Sequence, residues 1–421
     1  MVENRSRTGK DHGPLTQVRK VEWRDMGIAI KDGITWVGKT DWEIRSFHGE
    51  ELSTFSGTTY NSYLVRDEKT VLIDTAWTPY AEEFVENLKK EIDLKKIDYV
   101  IALHAEMDHS GALPALMREI PDTPVICSEN GVKSLKGHYH ADWKLLPMKT
   151  GDKISIGSRD LVFVEARLLH WPDSMMCYLT GSNVLFSNDA FGQHYATETL
   201  YNDLADQCTL FKEAEKYYAN ILTPYSRLVE QKIKEVVALG LPVDMICPSH
   251  GVIWRKDPLQ IVNKYLEWSQ DYQENQVTIV YDTMWNSTKK MAEAIGRGIV
   301  AAGKGIEVKI YSASRNDKNE IITDVFKSKA VVVGSPTINR GILSALAGLL
   351  EEMRGLGFKR KKAAAFGAYG WSGESAKMIT EHLQRAGFEV VGDGPRALWQ
   401  ADEAALEQCF NFGMELAGKI A

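Results

Sequence analysis

The chain has 421 residues, a formal net charge of −7, and 44% hydrophobic against 25% charged residues, the balance of a globular protein with room for two cores. The acidic balance argues against a general nucleic-acid binder. No run of about 18 apolar residues occurs, which excludes a spanning helix, and five cysteines without a CxxC pair offer neither a disulfide framework nor a tetrathiolate metal site.

Residues 1–17 are polar, carry Arg5, Arg7 and Lys10, and lack an apolar core segment, so they do not read as a secretory signal. A flexible arm over 1–25 and a reducing compartment, the cytoplasm, are expected. From residue 28 to 253 short β-rich pieces alternate with turn residues: 59–65, 70–74, 99–103, 125–127, 161–165, 176–179, 184–187 and 245–247 read as strands. Helical periodicity falls at 80–92, near 111–118 and at 228–239, which predicts two sheets with helices on their outer faces. Past Gln273 the rhythm becomes regular. Strands are expected at 276–281, 306–311, 330–334, 362–367 and 389–391, and helices at 288–302, 343–353, 375–386 and 401–417. Such βαβ alternation predicts a doubly wound parallel sheet, with domains at 26–273 and 274–421.

The segment HAEMDHSG, residues 104–111, follows the apolar run 99–103 and packs His104, Glu106, Asp108 and His109 into six positions. An apolar strand leading into a sharp Gly-ended loop projects side chains into a shared cavity, and a solvated charge run has no need of two histidines. His170, Asp189 and His250 stand in equivalent places after apolar runs. Together the seven supply ligands enough for two metals with Asp189 as a bridge, whereas one metal would need only three or four of them. His12, His48, His138, His140 and His382 lack this setting and are assigned ordinary structural roles. His194 and Tyr195, just after Asp189, are either donors next to the metal shell or plain loop residues.

In the second half, YDTMWNSTKKMAEAI places Thr283, Asn286, Ser287 and Thr288 in the turn that opens a helix. Amides at a helix N-terminus with small hydroxyls beside them suit a phosphate, and neither GK[ST] nor GxGxxG is present. An ordinary capped helix is the plainer reading of this turn by itself. Two further loops, GSPTINRG at 334–341 and GAYGWSGES at 367–375, leave expected parallel strands at their carboxyl ends, where crevice ligands bind. Trp285, Tyr369 and Trp371 offer flat apolar surfaces for a planar ring.

HAEMDH with His170, Asp189 and His250 resembles the metallo-β-lactamase-like superfamily, whose hydrolases usually present HxHxDH. Here Glu106 replaces the second histidine, and a hard, charged oxygen shifts preference from zinc toward iron. The HxExDH arrangement resembles the flavodiiron proteins. That resemblance implies one iron on His104, Glu106 and His170, another on Asp108, His109 and His250, and Asp189 between them. In some members the counterpart of His109 is turned away from the metal.

The later loops resemble flavodoxin, whose cofactor is FMN. The resemblance assigns the phosphate to Thr283, Met284, Trp285, Asn286, Ser287 and Thr288. It lays the isoalloxazine against Ser335, Pro336, Thr337, Ile338 and Asn339 and against Ala368, Tyr369, Gly370, Trp371, Ser372 and Gly373. Met284 and Trp285 stand where small residues are frequent, so their phosphate contacts are expected through backbone.

The resemblance covers nearly the whole chain and implies reduction of dioxygen to water, of nitric oxide to nitrous oxide, or of both, with electrons passing through FMN. No CxxC pair is present to make a rubredoxin iron site, so an external donor is expected: rubredoxin, a flavin reductase or a deazaflavin. It also implies a head-to-tail homodimer or a dimer of dimers. The alternative is a dizinc thioester or lactone hydrolase with a vestigial flavodoxin domain, and Glu106 and the flavin loops speak against it. A third reading, an electron-transfer flavodoxin on an inert scaffold, is opposed by the seven intact candidate ligands.

Overall fold

Side chains alternate across a strand, so a strand buried at every position must be covered on both faces. That describes Val125–Ser128, Met175–Leu179, Val184–Asn188 and Met245–Pro248, all fully buried. The computed structural model describes residues 27–420, and the arm expected at 1–25, with His12, lies outside the described residues. Seven strands, from Ile28–Lys31 to Leu145–Met148, make one sheet, and five, from Lys153–Ser155 to Met245–Pro248, make a second. Ile73, Ile101, Ile126, Phe163, Cys177, Phe186 and Cys247 fill the space between the sheets, and helices cover the outer faces. This is the αβ/βα sandwich that the sequence predicts.

The third sheet runs Glu307–Ser312, Glu274–Tyr281, Ser328–Gly334, Lys362–Tyr369, Glu389–Val390, all parallel. In chain order this is 2-1-3-4-5, the doubly wound flavodoxin-like arrangement. The division expected at Gln273 falls immediately before the strand Glu274–Tyr281. No helix among the described residues is long and apolar enough to cross a membrane.

Several elements differ from expectation for local reasons. The strand expected at 59–65 breaks into Thr58–Tyr60 and Tyr63–Arg66. Between them Asn61 turns inward, its amide donating to the carbonyls of Pro248 (2.9 Å) and Gly251 (3.0 Å) while its oxygen accepts from Trp36 Nε1 (2.8 Å). The helix Glu129–Tyr139 contains two glycines and was not expected; the Ser128 hydroxyl caps it by accepting from the Gly131 amide (2.9 Å). The helix Lys318–Lys327 was not expected; it buries Asn319, Thr323 and Asp324 together with Ile321, Ile322, Val325 and Phe326.

One apolar cluster joins the halves. It runs from Val164, Leu185 and Ile246 through Tyr218, Tyr265 and Trp268 to Val280, Ile321, Phe326 and Val331. Tyr218 and Phe326 meet with ring centroids 5.7 Å apart. At its edge lies a polar joint. Ser53 donates through its hydroxyl to Asp317 (2.8 Å) and through its amide to the Asn319 side chain (2.8 Å). Lys216, with a side chain only 4% exposed, donates to that same hydroxyl (2.7 Å) and stands 3.5 Å from Glu320. Lys216→Ala removes the buried charge that faces these acceptors from the first half and leaves only the more exposed Lys212, 3.1 Å from Glu320. Because Asp317 and Glu320 are 22% and 30% exposed, water offsets part of the loss, and a destabilisation of about 2 kcal/mol is expected. Urea unfolding followed by tryptophan fluorescence reads it; an unchanged midpoint contradicts the joint's role.

Candidate metal centre and flavin crevice

The strand Tyr99–Ile101 delivers His104 and Glu106 in extended chain, two apart and therefore on one side. The expected loop then closes into a helical turn, Met107–Ser110, which swings Asp108 and His109 to the other side. Gly111 is required there by space, since a Cβ would stand 2.2 Å from the Met107 carbonyl and 2.4 Å from the Thr78 amide. The Ser110 hydroxyl donates to the Ala105 carbonyl (2.7 Å) and braces the turn. Asp189 follows the strand Val184–Asn188, and His250 follows Met245–Pro248.

All seven expected ligands converge, as two groups. His104, Glu106, His170 and Asp189 form one, and Asp108, His109 and His250 the other. In the first group His104 Nε2 lies 3.2 Å from Glu106 Oε2 and 3.7 Å from Asp189 Oδ2, and His170 Nε2 lies 3.4 Å from both of those oxygens. In the second, His109 Nε2 is 3.2 Å from Asp108 Oδ2 and His250 Nε2 is 2.9 Å from it. Asp189 Oδ1 stands 3.0 Å from His109 Nε2 and 3.7 Å from His250 Nε2. Asp189 therefore presents one oxygen to each group, and His109 points inward.

These spacings fit metal ions. Donors about 2.0–2.2 Å from one ion stand roughly 2.8–3.6 Å from each other as the coordination angle opens from octahedral to tetrahedral. Both oxygens of Asp189 and Oδ1 of Asp108 are buried without a hydrogen-bond partner, a costly state unless a cation accepts their lone pairs. Burial alone opposes charge on His104, His109 and His170, yet Asp173, Glu106, Asp108 and Asp189 outweigh it and lift all three to about 10. The same pairing holds Glu106 and Asp189 well below the usual carboxylate range despite their burial. The pocket demands positive charge.

Outer contacts aim the ligands. Asp173 Oδ2 accepts from His104 Nδ1 (3.1 Å) and from the Ala105 amide (2.8 Å). His250 Nδ1 donates to the Thr59 carbonyl (2.6 Å). Each ring thus turns Nε2 inward. Asp74, whose carboxyl burial lifts to about 6, accepts from the Leu103 amide (2.8 Å) and the Ser249 hydroxyl (3.2 Å), tying two ligand loops together.

One histidine set aside on sequence grounds needs correction, His48; a second, His138, keeps a structural role at the edge of the site. His48 Nε2 stands 3.1 Å from Glu106 Oε1, on the oxygen that faces away from the other ligands. His138 stacks on Trp171. His48 comes from the small hairpin Ser46–Phe47 with Leu52–Ser53, more than fifty residues from any of the seven ligands, and carries no apolar run to mark it. Together with Phe47, Trp77 and Met107, these residues line a mouth of about 440 Å³ over Glu106 and Asp108.

His194 and Tyr195 part company, as neighbours in extended chain do. His194 is buried against His250 and stacked on Phe47 (4.8 Å), with Nδ1 on the Thr58 hydroxyl (2.8 Å) and Nε2 unpartnered. Burial and the neighbouring His250 hold it neutral. Tyr195 turns to Asp206, which caps the helix Gln207–Tyr217, and to Thr209 and Glu213 on that helix, away from the ligands.

At the other expected site the helix Ser287–Ala301 begins after Asn286, whose left-handed backbone (φ 65°) makes the sharp entry. The Thr288 hydroxyl is wholly buried and has no partner within the chain, which suits a hydroxyl facing a phosphate at a helix N-terminus. Ser287 Oγ accepts from the Ala401 amide (2.9 Å), and the Thr283 amide is engaged by Asp282 (2.9 Å). Met284, Trp285 and Asn286 are exposed.

In the second loop Ser335 is internal, donating to the Pro336 carbonyl (2.8 Å) and accepting from the Leu343 amide (3.1 Å), while the Thr337 hydroxyl binds Ser375 Oγ (3.0 Å). Ser335 is thus a brace of the loop. Ile338 is half-buried and Asn339 exposed. In the third loop Ala368 and Gly373 are buried, Tyr369 and Gly370 half-buried, and Trp371 and Ser372 exposed.

A fourth piece was missed. The strand Arg396–Leu398 extends the sheet and leads to Trp399, 6.2 Å from Trp371 between ring centroids, and to Gln400, which donates to the Trp285 carbonyl (3.1 Å). Three residues of strand and a lone Trp-Gln pair left little signal in sequence.

Comparison with known proteins follows the same division. Residues 58–251 match the family described as ODP family beta lactamase, and residues 279–413 match flavodoxin. The chain is 54% identical over 398 residues to the anaerobic nitric oxide reductase flavorubredoxin of Escherichia coli O1:K1, spanning 94% of this chain and 83% of that one. Among solved structures it resembles the rubredoxin oxygen:oxidoreductase of Desulfovibrio gigas (TM-score 0.91, 38% identity, 94% and 98% coverage). It also resembles the flavodiiron protein of Giardia intestinalis (TM-score 0.87, 32% identity, 94% and 96% coverage).

Proposed function

Because the chain belongs to the flavodiiron protein family, we propose that it reduces nitric oxide to nitrous oxide, dioxygen to water, or both. The chain is an oxidoreductase whose cofactors are FMN and a non-haem diiron centre. Residues 26–273 are the iron domain in this reading, and 274–421 the flavin domain. One iron belongs to His104, Glu106 and His170, the other to Asp108, His109 and His250, with Asp189 shared. The observation that carries the proposal is the division of Asp189's two buried, unpartnered oxygens between the two groups. Electrons enter from an external donor such as rubredoxin, a flavin reductase or a deazaflavin. The working form is a cytoplasmic head-to-tail dimer or dimer of dimers.

Bound iron supplies the redox chemistry at the substrate, and FMN supplies the electrons that restore it. The chain's own part is positional. Asp189 fixes the spacing of the two groups, and Asp173 and the Thr59 carbonyl lock the rings of His104 and His250. Phe47, Trp77 and Trp171 wall the mouth with apolar surface and limit water beside the ligands. His48 holds the outer oxygen of Glu106, and His194 seals the floor as a neutral ring. Phosphate falls to the amides from Met284 to Thr288 and to the Thr288 hydroxyl, and the ring to the exposed faces of Trp285 and Trp371, with residues 335–339 and 368–373 around it.

The proposal is tested on purified protein by metal analysis, visible absorption and gas consumption with a reducing donor. A yellow protein with about two irons and one FMN per chain that consumes nitric oxide or dioxygen is expected. Colourless protein with zinc that hydrolyses thioesters would reverse the reading. Thr288→Val keeps the shape of the cradle and removes one donor to a charged group. FMN affinity, read by fluorescence quenching, is expected to fall about ten- to a hundredfold, equivalent to roughly 1.5–3 kcal/mol.

A further inference from the structure

The outer face of the second sheet carries Val164, Met176, Leu185 and Ile246, since their strand neighbours Phe163, Cys177, Phe186 and Cys247 face the inter-sheet core. The helices Ser226–Ala238 and Leu259–Trp268 cover that face, and between sheet and helices lies a cavity of about 250 Å³. Its two ends differ. One opens among Val237, Leu239 and Leu241, which stand 60%, 52% and 39% exposed. The other is closed by Leu169 and Ala190, both buried, each the chain neighbour of a ligand: Leu169 of His170 and Ala190 of Asp189.

The wall offers water little. Tyr178 directs its hydroxyl to the Pro242 carbonyl (2.7 Å), and Lys232 turns its ammonium to Glu235 (2.7 Å). Among the wall's side chains only the Tyr265 hydroxyl is buried without a partner. A buried water usually makes two to four hydrogen bonds, so an apolar space of this kind stays dry and takes apolar guests. Dioxygen and nitric oxide are such guests, small and poorly hydrated, and they concentrate in apolar surroundings relative to water.

We propose that this cavity is a gas conduit, collecting nitric oxide or dioxygen at the apolar surface patch and passing it past Leu169 and Ala190 to the back of the metal pocket. This inference rests on the proposed function, because it takes its ligand from that reaction. It leaves the mouth beside His48 and Glu106 to protons and electrons.

Xenon, an apolar atom of similar size, is the probe. Metal-free and loaded protein under xenon should both show a bound atom in the cavity by xenon NMR or in crystals. Val236→Trp, at a half-exposed position on the covering helix, and Ile233→Trp, deeper in, should each exclude it. In stopped-flow mixing of the reduced, loaded protein with nitric oxide, the filled variants should bind and release the gas about tenfold more slowly. The equilibrium affinity and the rate at saturating gas should be unchanged, as a narrowed passage requires. Absence of xenon from the cavity overturns the conduit, and so do filled variants that exclude xenon yet bind nitric oxide at the parent rate. If the parent protein reduces neither gas, the proposed function fails and takes the conduit with it. That result is distinct from a conduit failure in an active enzyme.

Discussion

Asp189→Asn is expected to lower gas reduction by at least about a hundredfold and to leave the protein with one iron or none. The carboxylate gives Oδ1 to His109 and His250 and Oδ2 to His104 and His170. An amide of the same shape retains an oxygen for one group and turns an N–H pair toward the other, where three donors already converge. Replacing groups that merely orient a ligand costs ten- to a hundredfold in metal affinity or activity, and this residue meets both ions. Iron content after dialysis, with nitric oxide and dioxygen consumption measured under one donor, decides it. A variant holding two irons and turning over normally would show that the bridge lies elsewhere.

Glu106→His is expected to exchange one chemistry for another. Glu106 is the position at which the chain leaves the HxHxDH pattern, and its Oε2 faces His104 and His170. A neutral imidazole there removes a hard oxygen and one negative charge from the pocket, which weakens the case for iron, above all oxidised iron, and favours zinc. His48 would lose its carboxylate partner as well. Metal competition followed by elemental analysis should show zinc displacing iron, with gas reduction falling by about a hundredfold or more. Retention of iron over zinc in equimolar competition would mean that the other ligands set the preference.

How far the chain could be read in advance follows from where its residues sit. The seven expected ligands follow apolar runs, because a strand ends where its side chains stop being covered, and the structure gathers all of them. The regular βαβ units after residue 273 were similarly plain. What escaped was of two kinds. His48, Asp173 and Asp74 act on ligands from loops or strand ends remote in sequence, and only folding brings them there. The helix Lys318–Lys327 is short and buries the polar Asn319, Thr323 and Asp324 along with its apolar residues, so polarity is a poor guide to its buried face. Tyr195 was coupled to His194 by adjacency, although adjacency in extended chain separates side chains.

The apolar cluster that runs unbroken from Val164 to Val331 bears on how the protein comes apart. Neither half owns that surface: Tyr218, Tyr265 and Trp268 from one and Ile321 and Phe326 from the other complete it together. Expressed separately, each half would carry an oily face into solvent and aggregate, and heat should melt the whole chain in one cooperative step rather than two. The border at residue 273 divides labour between iron and flavin without dividing the folding unit.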